Sequence, residues 1–124
     1  MIQYQMLKQK YDYLAPDGSE IRLLPVTSHG GCAHCLLPEG KKTKAVKHKS
    51  VEEIWYVLSG EGEIWQKSPE EEITKTLSKG ICVVIPTGNH FQFRNIGKEN
   101  LCILIVTMPP WPGPDEAVSV EDHW

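Results

Sequence analysis

No stretch of this chain is long and apolar enough to cross a bilayer as a helix. Its longest apolar runs, Ile81–Ile85 and Leu101–Val106, hold five and six residues, against the roughly 20 that a membrane span needs. The N-terminal Met1-Ile2-Gln3-Tyr4-Gln5-Met6-Leu7-Lys8 has neither an apolar signal core nor an Arg-rich transit pattern. The expected setting is therefore cytoplasmic, with no membrane partner. Positive charge is also not in excess. Thirteen Lys and Arg against 16 Asp and Glu leave a net charge of −3 over 124 residues, so no overall field draws the chain onto nucleic acid. The acidic run Glu70-Glu71-Glu72 acts in the same direction. No GxSxG elbow, phosphate loop or EF-hand pattern occurs, and the chain has no internal repeat and no domain linker.

Cysteine is too sparse for a disulfide scaffold. Cys82 and Cys102 fall inside the two most apolar runs, where a thiol is expected to act as a small buried hydrophobe. Cys32 and Cys35 form a CxxC around His34, a spacing that also serves zinc and redox chemistry. The flanking pattern reads as a strand, however, and residues three apart in a strand point to opposite faces. No second CxxC completes a four-ligand site. Reduced structural cysteines are the expectation.

Glycine and proline, by contrast, are plentiful: 10 Gly and 9 Pro imply many turns. Short β-prone runs recur between them, and no segment from residue 20 onward sustains a helical period. The predicted strands are 20–27, 31–37, 43–48, 53–58, 61–66, 72–77, 81–85, 91–95 and 101–107. Such spacing favours an antiparallel sandwich or barrel. Residues 5–14 have the makings of a short helical turn, ended by Asp12, Pro16 and Gly18. The segment from Pro109 onward, with Pro110, Pro112 and Pro114 around Trp111, is expected to run extended, with Trp111 pinning it to the body. Strands 53–58, 81–85 and 101–106 are apolar on both alternating faces, so both faces need cover. One face would line the interior. The other requires the terminal segments or a second subunit, and a homodimer is the economical choice.

Two stretches carry chemistry. From Gly40 to Gly60 the chain places Gly40, His48, Glu53 and Gly60 at offsets of the pattern G(X)5HXH(X)3–4E(X)6G, and Gly80, Pro86, Gly88 and Asn95 fit G(X)5PXG(X)2H(X)3N. In these residues the chain resembles the cupin family, in its small single-domain, mannose-6-phosphate-isomerase-like form. The resemblance spans Gly40 to Asn95, and flanking strands extend it to about 31–107. It implies an all-β fold: a double-stranded β-helix, or jelly-roll, barrel in a single domain over 1–124, with an irregular N-terminal arm (1–19) and a Pro-rich tail (108–124). It also implies one divalent transition metal inside the barrel and a small-molecule substrate; the family includes sugar-phosphate isomerases, epimerases and dioxygenases.

The ligand set departs from the family pattern. Val46 stands where the first histidine belongs, leaving Val46-Lys47-His48, and the second motif's histidine position is Phe91, with His90 one residue early. A one-residue offset in a strand turns a side chain to the other face. His90 therefore reaches the interior only if the turn Gly88-Asn89-His90 is shortened or bulged; otherwise Phe91 and Phe93 point inward. Strand 31–37, if it pairs with 43–48 so that Leu36 meets Val46, sets His34 beside His48 as a replacement ligand; the adjacent register puts His34 outside. The candidate metal ligands are thus His48, His90, Glu53 and His34. Zn²⁺, Fe²⁺, Mn²⁺, Ni²⁺ and Cu²⁺ all suit such a set.

Glu53 is the candidate catalytic residue, as ligand or as base. Trp55 and Val57 share its parity and are expected to line the same cavity, where burial beside a tryptophan raises a carboxyl's pKa. Trp55, Phe91, Phe93 and Gln92 are the candidate substrate contacts. Arg94 is either a polar site residue or the exposed partner of a surface carboxylate. His29 and His123 read as surface residues. The run Lys41, Lys42, Lys44, Lys47, Lys49 reads as an edge strand guarded against pairing, or as a lure for anionic substrates. Three readings follow: a metal-dependent isomerase or epimerase, a metal-dependent dioxygenase, and a metal-free module that encloses a small ligand.

Overall fold

The computed structural model describes residues 2–124. Its strands are β1 (Tyr13–Leu14), β2 (Glu20–Val26), β3 (Gly31–Leu37), β4 (Val46–His48), β5 (Glu52–Ser59), β6 (Glu61–Lys67), β7 (Glu72–Ser78), β8 (Cys82–Ile85), β9 (His90–Asn95), β10 (Leu101–Met108) and β11 (Ala117–Ser119). A 3-10 turn at Pro114–Glu116 precedes β11. Two antiparallel sheets face each other, in the orders β1-β2-β3-β10-β5-β8 and β11-β4-β9-β6-β7. This is an all-β jelly-roll barrel. Among the described residues no helix is long and apolar enough to cross a membrane.

Period-two patterning sets the faces. In β5 Glu53, Trp55 and Val57 are buried while Ile54, Tyr56 and Leu58 are exposed. In β10 Leu101, Ile103, Ile105 and Thr107 are buried and the residues between them half-buried. The inward sets of both sheets meet in one core that includes Leu37, Val57, Ile64, Leu77, Ile85, Phe93, Leu101 and Ile103. Each such side chain contributes about 1.5–3 kcal/mol by leaving water. The β5–β6 turn depends on glycine: Gly60 has φ +87°, and a Cβ there would sit 2.5 Å from the carbonyl oxygen of Asn100.

The strand expectations hold with shifts of a residue or so at most ends. The pairing of 31–37 with 43–48 does not. β3 lies between β2 and β10, whereas β4 belongs to the opposite sheet and pairs with β9 and β11. The segment Pro38–Ala45 crosses from one sheet to the other, so β4 begins only at Val46. The lysine run is not an edge strand either, because β11 covers the outer side of β4.

Residues 5–14 form no helical turn. Arg22 donates to the carbonyls of Lys8 (2.9 Å) and Gln9 (2.7 Å), while the Gln3 and Gln5 side chains bond the backbone of Val26 and Leu23. The arm is thereby held extended along β2. Cys82 is exposed rather than buried, because β8 is the outermost strand of its sheet. All four cysteines are free.

Candidate functional site

A cavity of about 910 Å³ lies between the two sheets. Its depth is aromatic: Trp55, Phe91 and Phe93 are at most 2% exposed, and Trp55 meets both phenylalanines edge-on at 5.7 and 4.9 Å. Tyr13, Leu14, Leu23 and Val26 form part of its exposed rim. The proline-rich tail completes the wall with Pro110, Trp111, Gly113 and Pro114. Asp17, Ser19, His48, Glu53 and Thr107 are among its few polar residues, and no Lys or Arg lines it.

Glu53 sits on the inner face of β5, 5% exposed. Trp55, two residues on and so on the same face, donates its indole N–H to Glu53 Oε1 at 2.9 Å. Burial drives the carboxyl's pKa up to about 7; the Trp55 hydrogen bond opposes this, and the negative Asp17 and Glu116 add to it. Asp17, also in the wall, is raised by burial while bonds from the Ser19 N–H and hydroxyl work against that rise.

His48 ends β4. Phe91 and Trp111 pack against it edge-on at 5.2 and 5.0 Å, and its Nδ1 is buried without a hydrogen-bond partner. Burial pushes its pKa down to about 4 against the pull of Glu116, so the ring is neutral at neutral pH. Trp111 does pin the tail to the body, and it does so against this imidazole.

Glu116 is the residue that the sequence did not flag. It is 4% exposed and accepts three hydrogen bonds, from the N–H and Oγ of Ser50 (both 2.7 Å) and the N–H of Val51 (2.8 Å). Burial alone would raise its pKa, but these bonds hold it below the usual value. The loop that separates His48 from Glu53 is thus fixed by a carboxylate 65 residues away in sequence. An acidic residue in a proline-rich tail carries no local signal of such a partner.

Of the four candidate metal ligands, His48 and Glu53 line the cavity while His34 and His90 do not. His34 lies on the outer side of β3, in register with Arg22 and Leu104, where burial and the Arg22 charge depress its pKa. Its expected partner strand is in the other sheet. His90 opens β9 opposite Lys67, and the Val46–Phe91 pairing turns Phe91 and Phe93 inward instead. No bulge reverses that parity. Gln92 also points out of the barrel. It donates to the Thr43 carbonyl (2.7 Å) and accepts from the backbone N–H groups of His123 (2.8 Å) and Trp124 (3.0 Å). Arg94 pairs with Glu63 at 2.7 Å and stacks over Trp124 at 4.3 Å, away from the cavity. The two exposed histidines, His29 and His123, are on the surface, the latter stacked on Trp65.

These placements do not fit a metal. Of the three positions where the motif patterns ask for histidine, only 48 keeps it; the other two hold Val46 and Phe91, which are cross-strand partners and both line the cavity. His48 and Glu53 alone fall short of the three protein ligands of a catalytic zinc. Among the described residues no group of three or more His, Cys, Asp or Glu is placed to hold an ion.

Comparison with known proteins agrees with this architecture. Residues 33–107 match the family model described as the cupin domain. An uncharacterized protein of Methanocaldococcus jannaschii is 33% identical over 127 residues, covering 95% of this chain and 98% of that one. Among solved structures, the capsular polysaccharide assembling protein CapF of Staphylococcus aureus superposes with a TM-score of 0.77 at 19% identity, covering 96% of this chain. This chain spans only 35% of CapF. A variant of oxalate decarboxylase from Bacillus subtilis gives 0.72 at 18% identity, with 86% of this chain and 29% of that one covered.

Proposed function

This chain belongs to the cupin family, and we propose that its barrel binds a small, uncharged, largely apolar molecule bearing a carbonyl or hydroxyl group. The supporting observation is a buried carboxyl, Glu53, oriented by Trp55 in an aromatic cavity whose wall holds no cation. A carboxyl with a pKa near 7 exists at neutral pH in both forms. Protonated, it hydrogen-bonds a carbonyl oxygen; ionised, it accepts a proton from the carbon next to that carbonyl. Neutral His48, also in the wall, is a second hydrogen-bonding group for the same molecule, its imidazole having one donor and one acceptor nitrogen. The chemistry that fits is ligand binding with proton shuttling, as in the interconversion of a ketone and its enol.

This reading retains the isomerase-like chemistry without a resident metal. The sugar-phosphate, mannose-6-phosphate-isomerase-like form has less support, because Asp17 and Glu53 face the cavity and nothing cationic there would balance a phosphate. The dioxygenase form needs a redox metal with open positions, and His48 with Glu53 is a thin anchor for one. The name of oxalate decarboxylase describes that protein's substrate; here an anionic acid meets the same lack of cations.

Titration with an uncharged cyclic ketone, followed by quenching of tryptophan fluorescence, tests the proposal. Saturable binding is expected that weakens at least tenfold in Glu53→Gln and in Trp55→Ala, while the phosphorylated analogue of the probe does not bind. Binding of one Zn²⁺, Mn²⁺ or Ni²⁺ per chain, lost in His48→Ala, would overturn it in favour of the metal-dependent reading.

A further inference from the structure

Enolisation takes a proton from the carbon next to a carbonyl and gives one to the carbonyl oxygen, tasks that a preorganised site divides between a base and an acid. Besides Glu53, the cavity wall holds a second carboxyl, Asp17. It stands in the turn Ala15-Pro16-Asp17-Gly18-Ser19 between β1 and β2. Proline presets one corner of that turn, and Gly18, at φ +98°, takes the left-handed one. Backbone bonds fix it further: Ala15 N–H to the Ser19 carbonyl (2.8 Å), Gly18 N–H to the Ala15 carbonyl (2.8 Å) and Lys44 N–H to the carbonyl of Asp17 itself (2.9 Å). The last of these ties the turn to the segment that crosses between the sheets. The side chain is held as well. Ser19 donates its N–H (2.9 Å) and hydroxyl (2.7 Å) to Asp17 Oδ1, and among the described residues Oδ2 receives no bond. Asp17 is only half-buried, which leaves that oxygen for a bound molecule. In the same wall the buried Nδ1 of His48, a residue 5% exposed, also has no partner.

We propose that Asp17 is the second catalytic residue of the cavity: it takes the proton from the carbon next to the ligand's carbonyl while protonated Glu53 supplies one to the carbonyl oxygen. The assignment rests on the cavity's binding an uncharged ketone. The C–H electron pair becomes the new C=C bond, and the carbonyl π pair takes up the Glu53 proton. The enol then faces a protonated Asp17 and an ionised Glu53. Reversal restores the ketone and both carboxyls, so no oxidant or reductant enters the balance. Hydrogen-bond partners divide the roles. Burial raises both carboxyls, but at Asp17 two bonds from Ser19 favour the ionised form. Glu53 has one such bond, from Trp55, and the negative charge of Asp17 adds to burial in keeping it protonated. Among the wall's other ionisable groups, burial keeps the protons of Tyr13, Cys32 and Cys35 in place and weakens His48 as a base.

Deuterium exchange into cyclohexanone at the carbons next to its carbonyl, followed by proton NMR in heavy water with EDTA present, tests the assignment on the full chain. Wild type is expected to catalyse saturable exchange. Asp17→Asn, whose side-chain oxygen can still accept both Ser19 bonds, should slow exchange by at least about a hundredfold. Its ketone affinity, read by tryptophan quenching, should stay close to that of wild type. On the unaltered chain, carbodiimide labelling of Asp17, read by peptide mass spectrometry, should slow severalfold at saturating cyclohexanone while labelling of exposed Glu70 does not change. Ketone bound without exchange in wild type, exchange undiminished in Asp17→Asn, or Asp17 labelling indifferent to the ketone would each overturn the assignment and leave the binding site standing. Absence of ketone binding in wild type would overturn the binding reading itself, and the assignment with it.

Discussion

Strands β5 and β9 both belong to the cupin motifs and both turn side chains into the same cavity, yet they furnish it oppositely. β5 contributes a carboxyl and the indole that orients it, Glu53 and Trp55. β9 contributes two hydrocarbon rings, Phe91 and Phe93, and turns its polar residues His90, Gln92 and Arg94 out of the barrel. The difference is one of parity. With Phe91 paired to Val46, the imidazole one residue earlier has no way in, and its neighbours serve the tail instead. A motif frame can thus preserve glycines, a proline and a fold while its ligand positions are given over to packing. Within the cavity β5 thus offers a hydrogen-bonding group and β9 only hydrocarbon, which suits an uncharged molecule that is apolar over most of its surface.

The most drastic way to break this comparison is to make β9 polar inside. The pair Val46→His with Phe91→His places two imidazoles beside His48 and Glu53, at positions now 5.2 Å from the His48 ring in the case of Phe91. Zinc or nickel affinity is expected to rise at least a thousandfold over wild type by calorimetry. No gain would mean that the cavity geometry, not the two lost histidines, determines metal binding.

Removing the polar group from β5 is the next largest effect. Glu53, with a folded pKa near 7, keeps a proton that the unfolded chain loses around 4.5. Stability therefore falls as pH rises from about 4.5 to 7, by about 3 kcal/mol at about 1.4 kcal/mol per unit. His48, held near 4 against 6.5 unfolded, has the opposite slope: stability falls as pH drops from 6.5 to 4. Between 4.5 and 6.5 the two oppose each other in wild type. Denaturant melts of Glu53→Gln should lose the opposing Glu53 slope and show stability decreasing below pH 6.5, the fall to which His48 and the likewise depressed His34 contribute.

Two smaller changes sharpen the contrast. Glu116→Gln loses charge-assisted bonds to Ser50 and Val51, at a cost of about 2 kcal/mol, and should loosen ligand binding by moving the His48–Glu53 loop. Gln92→Ala strips partners from the tail N–H groups and from Thr43 for about 1–2 kcal/mol, and should leave ligand affinity unchanged because that side chain never enters the cavity. Urea melts paired with probe titration distinguish the two.

The barrel was legible because its short β-prone runs read as extended strands and its turns carry glycine and proline where the chain reverses. Glu53 and Trp55 were legible for the same reason, since two residues apart on one strand means one face. The inward direction of Phe91 was visible as the alternative to a bulge. His34 was not, because its position depends on which strand lies beside β3, and that is β10, more than 60 residues away, rather than the sequence neighbour β4. Glu116 was hidden for a like reason. Its role rests on a hydrogen-bonded loop at the far side of the sequence, and no local pattern encodes that meeting.

The proposed acid–base chemistry depends on the state of one carboxyl. Carbon-13 NMR titration of the glutamate side chains, with Glu53→Gln used for assignment, measures it directly. A Glu53 resonance titrating near pH 7, and shifting in wild type when the ketone probe is added, is the predicted result. A Glu53 that titrates near 4.5 and does not respond to the probe would contradict the proposed acid–base site.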